Sequence, residues 1–397
     1  MDVQMSITRF ARLSLQAPVA CRGKASSPPP LSRNLRVAVR RVARKCSPAY
    51  TCAMVGSGPD ERRVTLRNPG RIDKAAAAKE YQRMSLRILV VGAGAVGGYF
   101  GARLAQAGRD VTFLVRPGRA KQLRQDGLRI VSPHGDLALA PRLLVTGENA
   151  EPFDLILLSV KAYTLASAVG DFAPAVGPDT MILPVLNGMR HIETLAQRFG
   201  DGPILGGVCL VATELDAQGR IVQNGDIQQI TYGERSGQTS TRLQRLDATL
   251  KGSGFDAHLS ADIVQAMWEK WVQIASIGAV TCLFRGTIGD VVAAPGGRGL
   301  SLRVLEECSA IAAACGHPPS EVFRDRLAAA LTAAGSGLTS SMYRDLRKGA
   351  SVEADHILGD LIQRGAAQNM AAPLLEAAYV NLRVYQNGLE LGRGSDR

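Results

Sequence analysis

Cysteine is scarce, with seven residues in 397, three of them before position 84 and four after it. No CxxC pair occurs, so a disulfide-built scaffold and a zinc module are both excluded, and no metal is expected. A reducing compartment, the cytoplasm, is the expected location. Long apolar runs are also lacking. The most apolar stretches, Ile88 to Val91 and Leu155 to Val160, have the length of strands rather than of a membrane span, and no membrane partner is expected. The third shortage is net charge over most of the chain. Residues 84–397 carry 30 Lys/Arg against 30 Asp/Glu, whereas residues 1–83 carry 17 against 5, so the whole formal charge of +12 lies in the leading segment. Spread over a folded surface, that excess would point to nucleic acid; confined to one end it does not, and no nucleic-acid partner is expected.

The leading segment, 1–83, combines Ser26-Ser27-Pro28-Pro29-Pro30 with the basic cluster Arg40-Arg41-Val42-Ala43-Arg44-Lys45 and has little periodicity, the composition of a chain without a packed core. It reads as upstream sequence outside the folded body, with an organelle-targeting signal or a basic interaction arm as alternatives. Met84, directly before the first clear strand, is a candidate start.

What is present begins at Leu86. The apolar run Leu86 to Val91 leads into Gly92-Ala93-Gly94-Ala95-Val96-Gly97-Gly98, and Tyr99 to Gln106 reads as a helix. In this setting the glycines have separate duties: Gly92 permits a tight turn, Gly94 removes a side chain where a pyrophosphate must approach, and Gly97 allows close helix–sheet packing. A second strand, Asp110 to Val115, ends at Arg116. An NAD site places a carboxylate there for the ribose hydroxyl; a guanidinium instead suits a 2'-phosphate, so NADPH/NADP+ is the expected cofactor.

Further strands are read at Phe153 to Val160 and Met181 to Leu186, each delivering a polar group at its carboxyl end: Lys161 after the first, Asn187-Gly188 after the second. In an open α/β sheet ligands gather at that edge. Ile204 to Ala212 and Ile221 to Tyr232 have β character and are expected to extend the same sheet.

From about residue 239 the period becomes 3.6, predicting helices over Thr241 to Lys251, Ala261 to Ile277, Leu302 to Cys315, Ser320 to Ala334, Ser341 to Arg347, Val352 to Arg364 and Ala372 to Gln386. The expected fold class is therefore α/β, with a Rossmann-type dinucleotide-binding domain over 84–238, followed by a mainly helical substrate and catalytic domain over 239–397. Lys270 lies between Trp268 and Trp271, and Glu353 opens a helix; periodicity alone leaves each open as an ordinary surface group.

The segments ILVVGAGAVGGYFGARLA at 88–105, LVRPGR at 114–119, SVKA at 159–162, LNGM at 186–189, WEKW at 268–271 and SSMYRDLRKGASVEADHI at 340–357 occur in one order and together resemble the ketopantoate reductases, or 2-dehydropantoate 2-reductases. The resemblance implies NADPH-dependent reduction of 2-dehydropantoate to pantoate, a step of pantothenate biosynthesis. It implies Lys270 as the catalytic general acid and Glu353 as the active-site carboxylate. Lys161, Asn187 and Ser341 would contact substrate. Gly92, Ala93, Gly94, Ala95, Val96, Gly97 and Arg116 would hold the cofactor, together with Lys161, Asn187 and Glu353. A small 2-oxo acid is the implied substrate, and a homodimer is compatible with the family.

Two positions depart from the family pattern: Ile274, one turn after Lys270, and Leu338, three residues before Ser341, stand where the archetype has asparagine. Losing two amides weakens recognition of a hydroxylated substrate, because a buried hydroxyl without its partner costs about 1 to 3 kcal/mol. The alternatives are a reductase of a less polar 2-oxo acid and a catalytically silent NADP-binding or sensor protein.

Overall fold

In the computed structural model, residues 86–392 are described. The basic segment 1–83 and Met84 lie outside them. The strands are β1 (Arg87–Val91), β2 (Asp110–Val115), β3 (Leu128–Val131), β4 (Leu137–Leu139), β5 (Arg142–Val145), β6 (Phe153–Leu158), β7 (Val176–Pro184), β8 (Gly206–Leu215), β9 (Ile221–Gly233) and β10 (Asp256–Leu259). The helices are α1 (Ala95–Gln106), α2 (Pro117–Asp126), α3 (Leu165–Phe172), α4 (Arg190–Phe199), α5 (Thr241–Leu250), α6 (Ile263–Phe284), α7 (Ile288–Ala293), α8 (Gly297–Ala314), α9 (Glu321–Leu331), α10 (Ser341–Arg347), α11 (Asp360–Ala367) and α12 (Pro373–Glu390).

Five strands form a parallel sheet in the order β5-β2-β1-β6-β7. Successive β1 side chains enter different cores. Ile88 and Val90 pack with α1 and α5, while Leu89 and Val91 pack with α3 and α4, which is why the strand reads as an unbroken apolar run. Pro184 is tolerated because it ends β7, the edge strand. The chain winds outward in opposite directions from β1 and from β6, so the crevice of such sheets opens beyond the carboxyl ends of these neighbours. Gly92 follows one and Ser159-Val160-Lys161 the other.

The strands expected to extend this sheet instead build a second one. β8 and β9 pair antiparallel, and β9 runs parallel to both β3 and β10, with β4 completing the order β10-β9-β3-β4. An isolated parallel bridge, Ile182 to Ile204, ties β7 to the chain just before β8. The physical reason is local: Gly207 lets β8 cross close over the end of β7, where a Cβ would lie 2.3 Å from the Pro184 carbonyl oxygen, and the strand leaves the first sheet there.

Helix α5, placed by the sequence with the helical part, buries Leu243, Leu246 and Leu250 in the core under β1, and β10 joins the second sheet. By packing, the helical part begins at α6. This 22-residue helix, about 33 Å long, buries residues on every side and forms the spine against which α8, α10 and α12 pack. The helix expected from Val352 also differs. Ser351 to Glu353 are irregular, and a π turn, Asp355–Gly359, precedes α11. Among the described residues no helix is long and apolar enough to cross a membrane.

Candidate active site

The three glycines of the first turn are required for three different reasons. Gly92 has φ +97°, and a Cβ there would lie 2.5 Å from the Ser159 carbonyl oxygen; a Cβ on Gly97 would lie 2.2 Å from the Gly92 carbonyl oxygen. Gly94 is the opposite case: a Cβ would meet no atom of the chain within 4 Å, and the residue faces both cavities described below. The N-terminus of α1 has no side-chain cap and no acid in its first turn, so its N–H groups suit a pyrophosphate. These positions fit a dinucleotide. A Gly94→Val variant is therefore expected to keep its melting temperature yet lose dinucleotide affinity by 10-fold or more, at ~1.4 kcal/mol per decade. Gly97→Val should instead destabilise the fold itself. Thermal melts with and without dinucleotide separate the two.

A smaller cavity of about 260 Å³ lies beside this turn, lined by Ala93, Gly94, Arg116, Arg119 and Thr146 among others. Arg116 is exposed and donates from Nη2 to Ser167 Oγ at 3.0 Å. Arg119 is tied more firmly, with Nε on the Ala93 carbonyl at 3.2 Å and Nη1 on Gln122 Oε1 at 2.6 Å.

The larger cavity, about 820 Å³, runs from the glycine turn into the angle between the sheet edge and the helical part. Gly94, Ala95 and Val96 line one end, and Lys161, Asn187, Lys270, Ser341 and Glu353 line the remainder. Residues 353 and 270 come from the helical part, and 161 and 187 from the ends of β6 and β7, so the chamber exists only when both parts are folded together.

Glu353 is its structural centre. The side chain is 6% exposed, and its carboxylate accepts from the Ala162 backbone N–H at 3.0 Å and from Asn187 Nδ2 at 3.3 Å. Lys161 Nζ lies 3.8 Å from Glu353 Oε2 and 2.7 Å from Asp345 Oδ2, on α10. Burial alone would lower the Lys161 pKa; the two carboxylates outweigh it and hold the ammonium above the usual lysine range. Lys161 is thus a fixed cation. Gly188, at φ +74°, completes the arrangement, since a Cβ there would lie 2.4 Å from the His356 carbonyl oxygen.

Lys270 differs from Lys161. It is carried on α6 between Trp268 and Trp271, both buried, and Trp271 Nε1 donates to the Ile357 carbonyl at 2.9 Å, fixing the helix face. Among the described residues no carboxylate lies within ion-pair distance of its ammonium. Burial pulls its pKa below the ordinary lysine value, against weaker upward pulls from Cys209 and Glu353. A half-buried lysine with a depressed pKa, facing a cavity, is suited to give up a proton.

Ser341 opens α10 on the cavity wall, and the helix is capped by the preceding Ser340, whose Oγ accepts from the Tyr343 N–H at 2.9 Å. Sequence reasoning passed over Asp345, which secures Lys161, and Cys209, which lines the chamber beside Lys270. Asp345 lies inside the quoted run at 340–357 but carries no spacing signal of its own. Burial pushes the Cys209 thiol up to about 11, so it stays protonated at neutral pH. No group of three or more His, Cys, Asp or Glu that could hold a metal occurs among the described residues.

A glycine turn opening a Rossmann-type sheet, and a lysine lining the same cleft, define a dinucleotide-dependent oxidoreductase of the two-part kind, with a sheet domain and a helical partner. Residues 88–237 match the family model described as ketopantoate reductase PanE/ApbA, and residues 262–386 match its C-terminal counterpart. The chain belongs to that family. It is 35% identical to an uncharacterized oxidoreductase of Bacillus subtilis, YkpB, over 76% of this chain and 99% of that protein. It is 29% identical to the 2-dehydropantoate 2-reductase of Halobacterium salinarum, again over 76% and 99%. Among solved structures, the 2-dehydropantoate 2-reductase of Methylococcus capsulatus shares 30% identity at a TM-score of 0.68, covering 78% of this chain and 98% of that one.

Proposed function

We propose that the protein is an NADPH-dependent 2-oxo acid reductase that converts 2-dehydropantoate to pantoate. The observation that carries this reading is the single chamber in which the glycine turn, Lys161, Asn187, Lys270 and Glu353 meet. The bound cofactor supplies the hydride to C2 of the oxo acid. Lys270 holds the proton that the developing alkoxide takes up, and its cation stabilises that charge in a poorly solvated site. Glu353 keeps Asn187 and Lys161 in place, so that cofactor and substrate are presented at fixed positions, and Ser341 offers its hydroxyl to the substrate's polar end. Arg116 supplies the charge-assisted contact to a 2'-phosphate.

A second reading, a less polar 2-oxo acid as substrate, is favoured by Ile274, Ile277 and Leu338 on the cavity wall, which leave Gln273 and Asn187 as the amides lining the chamber. Oxidation of NADPH and NADH against ketopantoate and plain branched 2-oxo acids tests both. Background turnover of ketopantoate alongside reaction of another oxo acid removes the pantoate reading. In the same assay Arg116→Ala is expected to raise the KM for NADPH by about 10-fold or more and leave NADH unaffected; equal effects on both cofactors would refute the phosphate contact.

A further inference from the structure

Four cationic side chains line the large cavity: Lys161, Lys270, Arg344 and Lys348. Three have assignments. Lys161 is paired with Asp345 and Glu353, Lys348 with Glu214, and Lys270 is the proposed proton donor at C2. Arg344 is the cation left over. It projects from α10, one turn after Ser340, and is half-buried. It donates from Nη1 to a neutral group, the Thr339 carbonyl, at 3.3 Å. Among the described residues no carboxylate lies within ion-pair distance of its guanidinium, although Glu214, nearby, is held by Lys348.

A guanidinium partly withdrawn from water, with no anion of its own and facing a cavity, is matched to a ligand carboxylate, which it can grip through two parallel N–H bonds. We propose that Arg344 is the anchor for the substrate's carboxylate, an inference that rests on the 2-oxo acid reading above. The division of labour follows from the chemistry of such a substrate. Its carboxylate and ketone are on adjacent carbons, so one cation on each defines the plane of the reacting group and the face that meets the hydride. The third substituent of C2 is then directed along Ile274, Ile277 and Leu338. Ser341, on the same helix, supports the anchored end. Lysine would not replace Arg344 fully, since a point charge grips a carboxylate without fixing its plane.

The test uses the full chain saturated with NADPH and two probes that carry the oxo acid outline without a reducible ketone, oxamate and anilino(oxo)acetate, with neutral oxamide as control. Titration calorimetry of the wild-type protein is expected to show binding of the two acids and none of oxamide. Arg344→Gln should weaken the acids by about 10- to 150-fold, Arg344→Lys by less, and NADPH affinity should not move in either. With a reducible oxo acid the same variants should raise KM and, because the reacting group is no longer held in plane, lower kcat as well, Arg344→Lys less than Arg344→Gln. Oxamide binding as tightly as oxamate, no binding of either acid to the wild type, or equal acid affinity in Arg344→Gln would each overturn the anchor; the first two need no variant to fold. The two readings also fail separately. If acids bind through Arg344 but no oxo acid is reduced, the anchor stands and the reductase falls. If oxo acids are reduced with a KM indifferent to Arg344, the reverse holds.

Discussion

Replacing Lys270 by alanine is expected to lower kcat by about 10²- to 10⁴-fold, the usual yield of a positioned proton donor, without altering NADPH affinity. The wild-type pH profile should carry the same signature. Reduction needs the ammonium form, so kcat/KM should hold level at low pH and fall as pH rises through the Lys270 pKa. Burial sets that pKa below the 10.5 of a free lysine, so the alkaline limb should begin earlier than free lysine would give. The reverse oxidation needs the neutral amine and should rise through the same limb. Activity retained by Lys270→Ala, or a limb that survives in it unmoved, would assign the proton to another group.

Glu353→Gln should produce the second large loss, by a different route. The substitution keeps the shape but removes the charge, and its new NH2 group faces donors, Asn187 Nδ2 and Lys161 Nζ, that need an acceptor. A buried donor left unpaired costs about 1 to 3 kcal/mol, so a fall in melting temperature of at least about 2 °C accompanies a drop in kcat/KM of about 100-fold. A structural defect alone would stop there. Because Glu353 pulls the Lys270 pKa upward, losing its charge should also move the alkaline limb to lower pH. An unshifted limb in a folded variant would show that Glu353 acts only on Asn187 and Lys161.

How far the sequence could be read depended on whether the signal was local. β1, β2 and β6 announce themselves because each is buried on both faces over most of its length and therefore largely apolar. The glycine turn is equally legible, since its glycines fall in one short run between an apolar strand and a helix, although Gly92 is held against Ser159 and Gly94 faces open space. β3 and β4 leave no such trace: they are short and half-exposed, and β3 finds its partner in β9, some 90 residues later, so their sheet is decided by distant pairing. Helix α5 shows the same limit, since its amphipathic pattern says that one face is buried but not against what. In the site, Lys161 and Asn187 follow from the rule that strand ends face the crevice. Lys270 and Glu353 were singled out only by resemblance, and Asp345 and Arg344 not at all, because the meaning of a helix charge depends on what lies across a cavity.

The contact between Gly188 and the His356 carbonyl has a consequence for how such a chain can change over time. Asn187 and Glu353 are 166 positions apart, yet the turn bearing one rests on the backbone that follows the other, with no side chain between them to absorb a shift. Single-residue insertions or deletions in either loop would displace both groups together. The contact therefore couples the lengths of the two segments, whatever residues surround them.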